Sequence, residues 1–208
     1  MNLNKLRDAV HENAVKKGFW DNAKKDANGM VDVSKFVVLA AGELFEAVEA
    51  DREGKFAADH VSPFGGSLVW DLDTEKECKG LPADLFGVHL KDTFEDEIAD
   101  AFIRLLDLAG GLNIDLDIIR TDVLLEYAHS AEITSVHGKI QILARSVLLL
   151  VSPIGFCSND SHETESRFHF HLNTMIRFCD EFELNLFRHI ELKMWFNKSR
   201  AKLHGKRY

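Results

Sequence analysis

Little in this chain is able to interrupt a helix: it has three prolines in 208 residues. Each proline removes a helical hydrogen bond and collides with the preceding turn, so their scarcity leaves room for long helices. Cysteine is equally scarce, with Cys78, Cys157 and Cys179 widely spaced and no C-x-x-C pair. That excludes a disulfide framework and a cysteine zinc site, and it suits reduced thiols. Long apolar runs are missing too. The longest, Ser146 to Cys157, is interrupted by Ser152, Pro153 and Gly155 and is too short to span a bilayer. The opening MNLNKLRDAVHENAV mixes charged with apolar residues and lacks the apolar centre of a secretory signal. A cytoplasmic protein without membrane contact is expected. A net positive charge is absent as well, the formal value being −9, which argues against a nucleic-acid partner because phosphates must be neutralised by a basic field. One segment reverses the balance: KMWFNKSRAKLHGKRY, from Lys193 to Tyr208, contains no acid. It reads either as a solvated basic tail or as a seat for a small polyphosphate.

What the chain does have is helical periodicity. With 46% hydrophobic residues it can bury a core, and a single domain over residues 1–208 is expected. Apolar stripes predict helices over about Leu3–Lys17, Val33–Arg52, Thr93 to Gly110 and Gly111, and a last long stretch from about Glu163 to Lys202. A further periodic run leads from Asp115 to Val151. On the second helix the expected core stripe is Val37, Val38, Ala41, Leu44, Phe45 and Val48. Strand alternation is confined to SLVWDL, within a loop-rich insertion at about 54–91 that contains Pro63, Gly65, Gly66, Gly80, Pro82 and Gly87. The fold class is therefore all-α, a helical bundle carrying an irregular insertion.

Two pairs of acids carry the chemistry. Glu43 and Glu46 stand three apart on the second predicted helix, Glu97 and Asp100 three apart on the third. Residues three apart are separated by about 60° around a helix axis, so each pair shares a face. Two such pairs on neighbouring helices would surround one space with carboxylates, the setting of a hard cation such as Mg²⁺ that substrate phosphates complete. A second reading is open: these acids lie roughly opposite the apolar stripes, where solvated charge sits, and Asp100 has Arg104 at i+4 as an ordinary pair. Near the C-terminus Lys193, Asn197 and Arg200 recur at i, i+4 and i+7. They present an ammonium, an amide and a guanidinium from one side, a set suited to phosphate oxygens.

These segments, GELFEAVEADREGK, FEDEIADAFIRLLDLAGGLNIDL and HIELKMWFNKSRAKLHGKRY, together resemble the MazG-like all-α nucleoside triphosphate pyrophosphohydrolases, whose relatives include dimeric dUTPases and dCTP pyrophosphatases. The resemblance implies a Mg²⁺ site, with Mn²⁺ able to substitute, held by Glu43, Glu46, Glu97 and Asp100. It implies Glu46 as the base that takes a proton from the attacking water. It also implies substrate contacts from Lys193, Asn197, Arg200 and Lys206, base stacking by Trp20 in the turn after HENAVKKGF, and a homodimer or homotetramer. The implied reaction converts a nucleoside triphosphate to the monophosphate and pyrophosphate. This chain departs from the family in carrying Gly42 where an acid is common and a longer interval between Glu46 and Glu97. Two further readings stand beside it: a non-catalytic binding or assembly module on the same scaffold, and a di-iron carboxylate bundle. For the latter only Glu126 and His129 supply the required Glu-x-x-His spacing.

Overall fold

The computed structural model describes residues 2–21, 23, 32–57, 83–117, 135, 137, 138, 140, 144 and 161–205. Six helices appear among them: α1 (Leu3–Lys16), α2 (Ser34–Arg52), α3 (Ala83–His89), α4 (Phe94–Gly111), α5 (Ser161–Glu181) and α6 (Leu186–Ser199), followed by a 3₁₀ turn at Lys202–Gly205. No described residue is in a strand, so the class is all-α. No helix among the described residues is long and apolar enough to cross a membrane. The run SLVWDL, most of the insertion, Cys78, Cys157, Lys206, Glu126 and His129 lie outside the described residues.

The helices begin where short polar side chains satisfy first-turn amides. Asn2 accepts from the amide of Lys5 at 2.7 Å. Thr93 accepts from the amide of Asp96 at 3.3 Å, and Asn185 accepts from that of Arg188 at 3.2 Å. The last cap corrects the expectation of one continuous C-terminal helix. Glu183 is left-handed at φ 56, and the amide of Leu184 donates back to the carbonyl of Cys179, which closes α5 before Asn185 opens α6. The short α3 is likewise a helix inside a segment expected to be irregular.

α4 is the hub, packing against α2, α1, α6 and α5. Ile98, Phe102, Leu105, Leu106 and Ala109 form its apolar stripe and are all buried. On α2 the predicted stripe is rotated. Phe36, Val37, Ala40, Ala41, Leu44 and Ala47 are buried, whereas Val38 and Phe45 are 58% and 54% exposed. The small side chains of Ala40, Ala41 and Ala47 let α4 approach closely, so the alanine side of α2 turns inward in place of the bulkier side.

Gly110 and Gly111 are the last residues of α4, where the periodicity places its end, and they also serve close approach. A Cβ on Gly110 would run into His11, and one on Gly111 into the Trp20 ring. The helix turns off two residues later, at Asn113 with φ 56. Gly111→Ala should therefore destabilise the fold by about 1–3 kcal/mol, the usual cost of forcing atoms into a packed interior. Urea denaturation measures this, and a variant as stable as the parent would contradict the packing argument.

Within α5, His171 is buried and its Nδ1 has no hydrogen-bond partner among the described residues. Burial pushes its pKa down from 6.5 to about 3. The unfolded chain takes up this proton first, so stability is intact above pH 6.5 and is lost as pH falls towards 3. His171→Phe should flatten that acid limb in a series of urea titrations. An unchanged slope would assign the acid sensitivity to other groups.

Candidate functional site

α2, α4, α6 and the turn after α1 enclose a cleft of about 150 Å³. Its lining includes Glu43 and Glu46 from α2, Glu97, Asp100, Arg104 and Asp107 from α4, Lys193, Asn197 and Arg200 from α6, then Phe19 and His204. Residues expected to act together from two acid pairs and one basic face thus share a single space. They are separated by up to 157 positions in the chain, from Glu43 to Arg200.

Carboxylate oxygens of Glu43, Glu97 and Asp100 lie within 4.8 Å of one another. Glu43 and Glu97 are buried, at 7% and 4% exposure, so the solvated-face reading does not describe them. Glu46 lines the same cleft from the exposed side of α2 and is outside this converging set. Burial together with the nearby Asp100 charge pushes the Glu97 carboxyl up to about 9. Burial raises Glu43 as well, with Asp100 adding to the shift and Arg104 opposing it. The first turn of α4 carries Glu95, Asp96 and Glu97, where the helix dipole favours negative charge and partly offsets that cost.

Fixed cations hold two of the three acids. Arg104 donates through Nε and Nη2 to Oε1 of Glu43, at 3.0 and 2.9 Å. Arg104 therefore pairs with Glu43 on α2, and the expected i, i+4 pair with Asp100 is not the one formed. Asp100 is taken by Lys193, whose Nζ lies 2.8 Å from its Oδ2 and 2.6 Å from Oδ2 of Asp96. In Glu43 and in Asp100 one oxygen is engaged and the other has no described donor. No described residue donates to the Glu97 carboxylate. The donor set is all oxygen, and these three carboxylates could hold a metal ion.

Lys193, expected to contact a substrate, lines the cleft but is 4% exposed and paired with two carboxylates. Its charge is held well above the ordinary range by Asp100 and Asp96 against the opposing effect of burial. Asn197 is buried and Arg200 half-buried, with Arg200 Nη1 donating to Asn197 Oδ1 at 3.3 Å. Trp20, expected to stack on a base, does not line the cleft. Its ring stacks on Phe36 at 4.3 Å and its Nε1 donates to Oδ1 of Asp107 at 2.8 Å. The same oxygen also meets Nδ1 of His11 at 2.9 Å, so Trp20 and His11 position Asp107 from behind.

Sequence reasoning missed Asp96, Asp107, Phe19 and His204. For α4 a signal was present. Asp96, Asp100, Arg104 and Asp107 fall at i, i+4, i+8 and i+11, a continuous charged stripe along the helix, and such a stripe has to meet partners when the helix is central. Comparison of the chain with family models, with curated proteins and with solved structures finds no match.

Proposed function

We propose that this protein is a magnesium-dependent nucleoside triphosphate pyrophosphohydrolase, cutting between the α and β phosphates. The observation that carries the reading is the convergence of Glu43, Glu97 and Asp100 in one cleft with Asn197 and Arg200. Acid oxygens for a cation and neutral or cationic donors for phosphate are what polyphosphate hydrolysis requires side by side. Glu43, Glu97 and Asp100 would hold the ion; Mg²⁺, or Mn²⁺ in its place, would neutralise phosphate oxygens and acidify a water. Arg200 and Asn197 bind phosphate oxygens, and Lys193 positions Asp96 and Asp100. Glu46, on the open side of α2, accepts the proton of the attacking water. As the new bond to the α-phosphorus forms, the bond to the bridging oxygen breaks, and pyrophosphate leaves with the electron pair. Lys206 keeps its proposed substrate contact; Trp20 acts only through Asp107. The reading places the enzyme in the cytoplasm, where its substrates are formed.

Incubating the full chain with a panel of canonical and modified nucleoside triphosphates and Mg²⁺ tests the reading. At least one substrate should yield monophosphate and pyrophosphate in equal amounts, and no activity should remain with excess chelator. Release of orthophosphate alone, or no release from any nucleotide, overturns it.

A homodimer or homotetramer is part of the same reading. Val38 and Phe45, seven apart on α2 and both exposed, flank Gly42, beside which a side chain would meet open space among the described residues, so that face is proposed to pack on a second copy. Light scattering at micromolar concentration should give at least twice the chain mass. A monodisperse monomer with full activity would remove the oligomer.

A further inference from the structure

At the end of the cleft formed by the Lys202–Gly205 turn stands His204, a residue with no role in the reading so far. Its ring packs edge-on against Phe19 at 5.1 Å and 84°, and both rings line the cleft. The turn that carries it is held on three sides. The amide of Leu203 donates to the carbonyl of Lys17 at 2.8 Å, Lys202 pairs with Asp21 at 2.6 Å, and Lys17 Nζ donates to the carbonyls of Lys198 and Arg200. Leu203 and His204 are both left-handed, with φ 51 and 50, a conformation that non-glycine residues adopt only when their surroundings impose it. The chain therefore holds this imidazole in a fixed place at a backbone cost.

One nitrogen of this ring is unsatisfied. Nε2 of His204 is buried and has no hydrogen-bond partner among the described residues, an arrangement that lowers stability unless a ligand completes it. Its surroundings say which ligand. The charges that act on the ring are Arg200 beside it, Arg104 and Asp100 from α4, and Lys17 just after α1, three cations to one acid. Burial and Arg200 lower its pKa to about 4, so at neutral pH the ring is uncharged and can carry its single proton on Nε2 as a donor. Glu43, Glu97 and Asp100 line the same cleft. A neutral donor among cations, sharing a cleft with a candidate cation site, matches an oxygen of a polyphosphate.

We propose, on the footing of the pyrophosphohydrolase reading, that His204 Nε2 donates a hydrogen bond to a phosphate oxygen of the substrate and of the pyrophosphate product. His204→Phe keeps the ring and its contact with Phe19 while removing the nitrogen; His204→Gln keeps a donor at similar reach. Calorimetric titration of the full chain with inorganic pyrophosphate and Mg²⁺ should show affinity about tenfold weaker in the Phe variant, the effect of one hydrogen bond to a charged acceptor. The Gln variant should stay close to the parent. The melting temperature of the ligand-free Phe variant should hold or rise, because an unsatisfied buried nitrogen has gone. Equal pyrophosphate affinity in parent and Phe variant overturns the inference, as does a Gln variant as weak as Phe, or a parent that binds no pyrophosphate. Hydrolysis of the nucleotide panel is scored separately, so the enzymatic reading can stand while this contact falls.

Discussion

Glu97→Gln should abolish magnesium-dependent turnover while making the metal-free protein more stable at alkaline pH. Glutamine preserves the shape and removes the charge that burial and Asp100 oppose. With its folded pKa raised from 4.5 to about 9, Glu97 contributes stability that is fully present below pH 4.5 and is lost as pH rises through about 9. The parent should therefore weaken over that window in the presence of chelator, and the Gln variant should weaken less. Added Mg²⁺ should reverse the order. It needs the deprotonated carboxylate, so the rise in melting temperature it causes in the parent should grow with pH and nearly vanish in the variant. Loss of a ligand oxygen should lower turnover by about a hundredfold or more, since even groups that only orient ligands are worth about ten- to a hundredfold. A Gln variant that keeps both its turnover and its magnesium-dependent melting shift would remove Glu97 from the site.

Lys193→Met is expected to produce the largest loss of stability, about 3–5 kcal/mol, because it strands buried carboxylates without their counter-charge. Asp96 is 2% exposed and burial already pushes its pKa up to about 7 with the lysine in place. Had Lys193 been a substrate contact, as its helical spacing suggested, the same change would weaken binding and leave folding alone. Urea denaturation distinguishes the two. Adding Asp96→Leu to Lys193→Met should recover much of the loss, because an apolar pair replaces a broken ionic one. Parental stability in the single variant would show that the ion pair with Asp96 and Asp100 does not hold this end of α4.

Much of the scaffold was legible before any coordinates. The spans of α1, α2 and α4 follow from apolar periodicity and fall within a residue or two of expectation, and Gly18 closes the α1 region with φ 82. The break between α5 and α6 was also written in the chain, as Asn185 ahead of an apolar run, but the periodicity on either side obscured it. The paired acids were visible because Glu43 with Glu46, and Glu97 with Asp100, are local patterns. Their division was not: Glu43 converges with the α4 acids while Glu46, one turn along, stays on the exposed side.

Local spacing determines which side chains share a face of one helix, and for this chain that was enough to select the acids of α2 and α4 and the polar row of α6. How far each helix is rotated about its own axis is decided by packing between residues distant in the chain. Ala40, Ala41 and Ala47 turn α2 so that Glu43 faces inward and Val38 outward. Burial then does what no spacing rule encodes. It forces every enclosed charge to find a partner, which is why Lys193 holds Asp96 and Asp100, Arg104 crosses to Glu43, and Trp20 serves Asp107. His204 shows the same division most clearly. Its identity is local, but its place in the cleft exists only because the last turn is tied to Lys17 and Asp21, residues from the opposite end of the chain.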